Sequence, residues 1–189
     1  SYELEFVGAR KESYQKNSRN PVVEIGSLED DQKRRDFTVN ALAFALNPKE
    51  FGTLIDPFDG LEDLDKKVLR TPLTAAQTFS DDPLRMLRAV RFAAQLDFTI
   101  DPQTMKSIRI MSQRIKILSQ ERILEEIHKI LLTQIPSKGF LLLDELGLLE
   151  HIFPELCSLK GIEEVGGQRH KDNFYHTFEV VDNICQTTD

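Results

Sequence analysis

The stretch Arg34-Arg35-Asp36-Phe37-Thr38-Val39-Asn40-Ala41-Leu42-Ala43 decides how this chain is interpreted. Two adjacent arginines, an aspartate and an asparagine precede an apolar run. At helical spacing Phe37, Ala41 and Phe44 share a face, so the pattern predicts one helix from about residue 29 to residue 46. Its charged end would face a pocket suited to an anion that carries sugar hydroxyls. A solvated basic helix end is the alternative.

The composition is typical of a globular protein with a sizeable core. The 189 residues are 40% hydrophobic and 29% charged, which matches ordinary globular domains. No apolar run approaches the length of a membrane span, and the polar first residues are unlike a signal peptide. Cys157 and Cys185 are too few for a disulfide framework and lack metal-ligand spacing, so we expect core thiols in a reducing, cytoplasmic compartment.

The charge of the chain is unevenly distributed. The formal net charge is −7, which argues against general attraction to nucleic acid. The window from Arg85 to Arg122 is nevertheless basic, with Lys or Arg at positions 85, 88, 91, 106, 109, 114, 116 and 122 and acids only at 97, 101 and 121. Such a stripe can attract phosphate locally. A solvated helix face is the alternative interpretation.

The first third of the chain mixes predicted strands and loops. Alternation predicts a strand over residues 2–7, polar residues predict a loop over 11–28, and short strands are expected at 53–56 and 68–70. The chain begins with Ser1 and enters a strand pattern at once, so we expect it to start inside a domain.

Helices dominate after Pro72. They are expected over 71–79, from Ser80 to about Leu96, from Asp101 onwards, and from Ser119 to about Thr133. Prolines at 136 and 154 mark later boundaries. Residues 161–167 are interpreted as a linker and 173–187 as a last helix.

The ten-residue string quoted first resembles one family, the nucleotidyltransferases that add CCA to tRNA (class II) together with the bacterial poly(A) polymerases. Further motifs follow in the family's order, namely Asp81-Asp82-Pro83-Leu84-Arg85 and Glu121-Arg122-Ile123-Leu124-Glu125-Glu126. The resemblance implies an α+β fold: the C-terminal part of a polymerase-β-like head over 1–58, a helical neck over 59–135, a helical connection over 136–166 and the start of an HD-type domain over 167–189.

Glu5 is the one candidate for catalysis and metal binding. Glu5-Phe6-Val7-Gly8-Ala9-Arg10 resembles a family strand whose carboxylate joins a metal-binding aspartate pair, and clustered carboxylates hold Mg²⁺ in nucleotidyl transfer. A solvent-facing glutamate is the alternative. The chain lacks that aspartate pair behind a phosphate loop, so these 189 residues alone are expected to be inactive. Incorporation of labelled nucleotide by them would contradict this expectation.

The resemblance assigns nucleotide binding to the first motif. Arg35 would contact the triphosphate or the sugar, since a guanidinium suits bidentate phosphate binding. Asp36 and Asn40 lie four residues apart and would reach ribose hydroxyls. A local hydrogen bond between them is the alternative.

The resemblance assigns base selection to Asp82 and Arg85. Cytosine and adenine each present an amino donor beside a ring-nitrogen acceptor, so a carboxylate and a guanidinium would pair with either base. Uracil and guanine have the opposite polarity and would leave charged groups unpaired. Arg88 and Arg91 would serve the triphosphate or the packing of their helix.

Two further motifs are interpreted as structural. Asp56 to Leu64 resembles the hinge between head and neck, and the helix from Ser119 to Leu131 is expected to hold the base-selecting helix in place. His170 to His176, followed by Asp182, resembles the opening of an HD domain, for which no metal site is expected within this chain.

The function that the resemblance implies is Mg²⁺-dependent addition of CCA from CTP and ATP to the 3′ end of RNA, and the expected RNA is tRNA. Poly(A) synthesis is the nearest alternative. A non-catalytic RNA-binding or HD regulatory module is a second, and it should ignore mononucleotides. An HD phosphohydrolase is a third, although its ligands are missing. No membrane partner is expected, and the oligomeric state stays open.

Overall fold

The computed structural model describes residues 3–13, 22–161, 164–165, 168–169 and 172–187. The chain divides into two compact units, Ser1–Asp82 and Pro83–Asp189. Both combine helices with two-residue or four-residue strands, which confirms the mixed helix and small-sheet class. The four-part division of the chain stays a prediction.

The first unit contains short strands and short helices. Its elements are β1 (Arg10–Ser13), β2 (Val22–Ile25), α1 (Leu28–Lys33), a first 3-10 helix (Thr38–Asn40), β3 (Ala43–Phe44), β4 (Leu54–Ile55), α2 (Gly60–Asp65), β5 (Val68–Leu69) and α3 (Ala75–Asp81). β1 pairs antiparallel with β2, and β3 with β4. Phe37, Leu69 and Phe79 are fully buried and form the apolar part of this unit, as large side chains removed from water should.

The second unit is mainly helical. Its elements are α4 (Leu84–Leu96), β6 (Thr99–Ile100), α5 (Pro102–Met111), a second 3-10 helix (Ser112–Ile117), α6 (Gln120–Leu131), α7 (Pro136–Glu145), α8 (Leu149–Ile152), α9 (Pro154–Cys157), β7 (Glu164–Val165), β8 (Gln168–Arg169) and α10 (Asn173–Thr187). Each boundary follows local chemistry. Asp101 caps α5 through hydrogen bonds from the backbone N–H groups of Gln103 and Thr104, both at 3.0 Å, and prolines begin α7 and α9.

Packing against α4 organises the second unit. α4 contacts both α6 and α7, and α10 packs on α7. Leu87, Ile130 and Leu143 are fully buried there. A methyl group at Gly139 of α7 would lie 2.4 Å from Cγ2 of Ile130, so α6 and α7 approach more closely than a larger residue would allow.

The helix predicted over residues 29–46 is wrong beyond Lys33. After α1 the chain bends, and Phe37 adopts an extended backbone with φ −132° and ψ 153°. Polar side chains take over the backbone partners: Nε2 of Gln32 donates to the carbonyl of Ala41 at 2.7 Å. The common face predicted for three apolar residues does not form, because Phe37 and Ala41 are buried whereas Phe44 is 64% exposed.

The first two predicted segments also differ from the structure. Residues 3–9 form no strand and are almost entirely exposed; the strand begins at Arg10, where β2 supplies a partner. The loop predicted over 11–28 therefore contains strand residues at both ends, while 14–21 lie outside the described residues. The short strands at 54–55 and 68–69 and the helix at 173–187 are confirmed.

The other helix predictions hold with shifted ends. The helix expected over 71–79 runs from Ala75 to Asp81, and the next begins at Leu84 without a side-chain cap. α6 ends at Leu131. Among the described residues, every helix is too short or too polar to span a bilayer.

Candidate functional site

Asp31 holds both arginines of the decisive stretch. α1 begins with a capping box, in which the N–H of Asp30 donates to Oγ of Ser27 at 3.2 Å and the N–H of Ser27 donates back to the Asp30 carboxylate at 2.9 Å. At the next residue, the carboxylate of Asp31 binds Arg34 through Oδ1 and Arg35 through Oδ2. The capped helix therefore fixes the residue that orients both guanidinium groups.

The geometry at Asp31 leaves Arg35 facing solvent. Arg35 donates to Oδ2 of Asp31 from Nε at 3.2 Å and from Nη2 at 2.8 Å, yet its side chain is 47% exposed, against 16% for Arg34. An arginine has further N–H donors beyond these two. Arg35 is thus positioned by a buried carboxylate and still able to bind an anion from solution.

The two arginines also set the ionisation of Asp31. Burial alone would raise the pKa of this carboxyl, but hydrogen bonds from Arg34 and Arg35, together with their charges, outweigh burial and lower the pKa below its usual 3.8. Asp31 is consequently ionised at neutral pH and keeps its hold on both guanidinium groups.

Asp36 and Asn40 contact each other. Asp36 is 7% exposed, and its Oδ1 accepts from Nδ2 of Asn40 and from the N–H of Phe37, both at 2.9 Å. Asn40 itself is exposed. The pair is therefore the local hydrogen bond given as the alternative, and Asn40 is the member accessible to a ribose. Their assignment to ribose binding stays a prediction.

A second buried carboxylate, that of Asp63, holds Thr38 of the stretch Arg34–Ala43 in place. Oγ1 of Thr38 donates to Asp63 at 2.5 Å, and Nε of Arg70 donates to the same carboxylate oxygen at 3.0 Å. The N–H of Thr38 also donates to the carbonyl of Arg70 at 2.8 Å. Sequence reasoning missed this network, because its three residues lie far apart in the sequence and Arg70 stands in none of the quoted motifs.

Gly60 allows the hinge motif to approach the first 3-10 helix. Asp56 accepts hydrogen bonds from the N–H groups of Gly60 and Leu61 at 2.7 and 2.9 Å, which starts α2. A methyl group at Gly60 would lie only 2.3 Å from the carbonyl oxygen of Thr38. The side chain of any other residue would push α2 away from the Arg35 region.

Asp82 and Arg85 occupy helix ends in separate units. Asp82 is the C-terminal cap residue of α3, with its N–H on the carbonyl of Thr78 at 3.3 Å, and it is half-buried. Arg85 stands in the first turn of α4 and is 8% exposed. A charged side chain buried to this extent is normally paired. The assignment of both residues to base selection stays a prediction.

Arg91 is engaged inside the protein. Its Nε donates to Oε2 of Glu126 at 2.6 Å and its Nη1 to Gln95 at 3.0 Å. Glu126 is 2% exposed and also accepts from Lys129 at 2.8 Å. This buried pair joins α4 to α6 and corresponds to the packing role given as the alternative for Arg91. The sequence predicts that α6 holds the base-selecting helix in place, but it does not single out the Arg91–Glu126 pair.

Arg88 lies on the more accessible side of α4. It is half-buried, and its guanidinium carbon lies 5.2 Å from the centre of the Phe92 ring, within cation–π range. The apolar residues of this helix form its protected side, since Leu84, Met86, Leu87 and Val90 are all buried.

Glu5 belongs to no metal-binding cluster among the residues that the structure describes. It lies in the exposed segment 3–9, and within the described residues no group of three or more His, Cys, Asp or Glu side chains could hold a metal ion. The described residues thus do not by themselves build the Mg²⁺ site that the resemblance implies. Its role in catalysis stays a prediction.

The start of the HD-type segment is only partly described. His170 lies outside the described residues. Asp172 caps α10 by accepting from the N–H of Phe174 at 2.9 Å, and His176 is exposed, with its Nδ1 3.4 Å from Glu179. The described members of this motif act as helix-end and surface residues.

Two family models match the chain in the order of these features. Residues 1–70 match the poly(A) polymerase head domain, and residues 97–160 match the probable RNA and SrmB-binding site of polymerase A. The chain belongs to the class II CCA-adding enzyme and bacterial poly(A) polymerase family. The head-domain match includes Arg35 and Asp31. The RNA-binding match includes α6, whose Glu126 binds Arg91 of α4.

Curated relatives carry the same family identity. The chain is 42% identical over 169 residues to a nucleotidyltransferase of Purpureocillium lilacinum, covering 81% of this chain and 28% of that protein. It is 38% identical over 163 residues to the A-adding tRNA nucleotidyltransferase of Deinococcus radiodurans, covering 84% and 36%. The chain thus spans roughly a third of the length of these two relatives.

Solved structures of the family share the fold. The CCA-adding enzyme of Bacillus stearothermophilus in complex with CTP matches with a TM-score of 0.63 and 41% identity, over 67% of this chain and 31% of that one. A CCA-adding enzyme structure in an apo form matches with a TM-score of 0.73 and 30% identity, over 97% and 45%. The mixed helix and small-sheet architecture is thus that of CCA-adding enzymes.

Proposed function

We propose that the protein is a tRNA nucleotidyltransferase that adds CCA to tRNA 3′ ends from CTP and ATP. The observation that carries this proposal is the half-exposed guanidinium of Arg35, fixed by the buried Asp31. A pre-oriented guanidinium at a solvent-facing position binds a triphosphate without having to be ordered first. Relatives solved with CTP, and with a primer tRNA and an ATP analogue, support the choice of substrates.

In the proposed reaction the 3′-hydroxyl of the RNA attacks the α-phosphate of the nucleotide, and pyrophosphate leaves. Arg35 binds the triphosphate and stabilises the charge that accumulates on it, and Asn40 contacts the ribose. Mg²⁺ is the expected cofactor of the family and would neutralise the same charge. Glu5 would contribute one ligand, and the described residues supply no group of three or more His, Cys, Asp or Glu side chains that would complete a site.

Base selection is assigned to Asp82 and Arg85. The carboxylate accepts from the amino group of cytosine or adenine, and the guanidinium donates to the ring nitrogen beside it. UTP or GTP would leave both charged groups unpaired, which costs roughly 1–3 kcal/mol for each group. Arg91 supports this helix through Glu126 rather than by touching the nucleotide, while Arg88 is the further candidate for the triphosphate.

The remainder of the proposal concerns the rest of the chain. Residues 97–160 bind RNA, which the family match and the basic window from Arg85 to Arg122 both support. Residues 167–189 begin an HD-type domain, and the protein acts in the cytoplasm.

Extension of tRNA by the complete gene product tests the proposal. tRNA lacking its 3′ end is incubated with CTP alone, ATP alone, or both. Addition of two C residues and one A, followed by a stop, is expected. No extension, together with no binding of CTP or ATP, would contradict the proposal and favour an RNA-binding module.

Poly(A) synthesis is the second candidate, because both matching family models are described as parts of poly(A) polymerase. The same assay separates the two activities. A long tail made from ATP alone would establish poly(A) synthesis and contradict CCA addition.

A further inference from the structure

A small cavity lies on the second unit between the first half of α6 and the end of α8. Its volume is about 250 Å³, and its lining surface is polar and apolar in nearly equal parts. The lining residues are Gln120, Ile123, Leu124, His151, Ile152 and Phe153. Nothing in the proposed reaction uses them, since the nucleotide-binding candidates lie on other elements.

His151 gives this cavity an unmet hydrogen-bonding group. Its side chain is 9% exposed, and its Nε2 is buried and makes no hydrogen bond to the described residues. The carboxylate of Glu150 lies 3.4 Å from that nitrogen but outside hydrogen-bond geometry. Because a buried polar atom without a partner costs free energy, an occupant that bonds to Nε2 would gain more than an apolar one.

The lining matches the chemistry of a single nucleobase. Phe153 is half-buried and Leu124 is 53% exposed, so an aromatic and an aliphatic surface are both reachable by a flat ring. Gln120 offers an amide donor and acceptor, and His151 one ring nitrogen, which suit the edge of a base. The volume admits one base but not a helix or a strand.

The charge near the cavity favours a base rather than a phosphate group as its occupant. Glu150 beside His151 would repel a phosphate group in the cavity. The second 3-10 helix packs against α8 and carries Arg114 and Lys116, so a phosphate is favoured outside the cavity instead. Since this part of the chain matches an RNA-binding family model, the occupant with both properties is an unstacked base of the bound RNA.

We propose that this cavity is a subsite for one unstacked nucleobase of the RNA, stacked on Phe153 and hydrogen-bonded to His151 and Gln120. The proposal rests on the proposed function, because it takes RNA as the substrate. It adds a position on the RNA at which the base itself, rather than the phosphate, contributes to affinity.

Abasic scanning of the RNA against cavity variants tests the subsite. The complete protein is titrated with tRNA lacking its 3′ end, in which unpaired nucleotides are replaced one at a time by abasic residues. One abasic position should weaken binding to the wild type roughly 5- to 100-fold, the range of a lost base–aromatic stack. The same RNA should bind no worse than the intact RNA in Phe153→Leu and Leu124→Ala.

The controls keep the result interpretable. Leu132, the residue that follows α6, has an apolar side chain that is 72% exposed and does not line the cavity. Leu132→Ala should therefore behave as the wild type. Leu124→Ala changes a half-exposed residue and is expected to fold even where a change at His151 does not. His151→Gln, which keeps a hydrogen-bonding group, should lose less affinity than His151→Leu.

The alternative outcomes each overturn the proposal. Wild-type RNA affinity in both Phe153→Leu and Leu124→Ala would exclude a base subsite and favour a protein partner for the cavity. An abasic position whose effect is the same in wild type and variants would place the recognised base elsewhere. If the wild type extends tRNA in either case, the proposed function survives; a wild type that binds no RNA would overturn both.

Discussion

The two units of this chain bury charged residues in different ways. In the first unit Asp31 of α1 binds Arg34 and Arg35, which are three and four residues further along the chain, just past the end of that short helix. In the second, Arg91 of α4 binds Glu126 of α6, 35 positions along the chain. The first pair is set by local hydrogen bonds, whereas the second depends on two long helices packing correctly.

This difference implies different roles for the Asp31 arrangement and the Arg91–Glu126 pair. The local arrangement keeps Arg35 half-exposed. One edge of its guanidinium donates to Asp31, and the remaining N–H groups can reach a ligand. The long-range pair is almost fully buried and has no ligand-facing side. We therefore expect changes at Asp31 to alter nucleotide use first, and changes at Glu126 to alter stability first.

The largest expected effect comes from breaking the long-range pair. Glu126→Ala removes the carboxylate that faces both Arg91 and Lys129 and leaves a buried guanidinium unpaired, which costs about 3–5 kcal/mol of unfolding free energy. Urea unfolding of the complete protein followed by circular dichroism measures this loss. Glu125→Ala, an exposed change on the same helix, is the matched control. A loss below about 1 kcal/mol for Glu126→Ala would show that the pair does not hold α4 to α6.

Breaking the local arrangement should have a smaller effect on stability and a clear effect on nucleotide use. Asp31→Asn keeps the shape of the side chain but removes the charge that orients Arg35. Because hydrogen bonds to charged groups contribute about 1.5–3 kcal/mol, we expect KM for CTP to rise about 10-fold or more while kcat changes less. Glu29→Gln, which changes a carboxylate with a 67% exposed side chain on the same helix, is the control. An unchanged KM would show that Arg35 needs no positioning by Asp31.

Gly60 tests how tightly the first unit is assembled around Arg35. Gly60→Ala places a methyl group 2.3 Å from the carbonyl oxygen of Thr38, so α2 must shift, at a cost of about 1–3 kcal/mol. Gly8→Ala is the matched control, since its methyl group would meet no atom within 4 Å. Thermal unfolding compares the two variants, and equal melting temperatures would contradict the close approach.

The smallest predicted effect is a dependence on acid. The folded-state pKa of Asp31 lies below its usual 3.8, so in acid the unfolded chain takes up this proton before the folded chain does. The stability it contributes is therefore present at neutral pH and is lost as the pH falls below about 4, through the folded-state pKa. Unfolding midpoints between pH 6 and pH 3 should fall less steeply for Asp31→Asn than for the wild type. Parallel curves would remove Asp31 from the acid response.

The comparison also explains what could be predicted from the sequence. Periodicity and caps identify helices whose signals are local: Asp101 and Pro102 begin α5, and Pro136 begins α7. Arg35 was instead singled out by the family resemblance, because the motif that contains it is contiguous. Periodicity failed where distant polar groups decide the backbone. Gln32 bonds to the carbonyl of Ala41, and this replaces the helical partner that the periodicity predicts.

The sequence suggests which residues belong to the candidate site, but it does not reveal which side chains hold them in place. Asp31, Asp63 and Glu126 are carboxylates in regions rich in charge, and nothing in their spacing separates a buried anchor from a solvated neighbour. Glu125 and Glu126 are adjacent, yet one is exposed and the other 2% exposed. The direction in which each faces depends on the packing of α6 against α4. A sequence pattern with a helical period does not specify that packing partner.

The most direct measurement compares nucleotide use by Arg35→Ala and Arg85→Ala in the complete protein. KM and kcat are determined with CTP, ATP, UTP and GTP on tRNA lacking its 3′ end. If Arg35 binds the triphosphate and Arg85 reads the base, Arg35→Ala should raise KM by a similar factor for CTP and ATP and leave the preference over UTP and GTP intact. Arg85→Ala should narrow that preference. An unchanged preference in Arg85→Ala, or a loss of preference in Arg35→Ala, would contradict this division of roles.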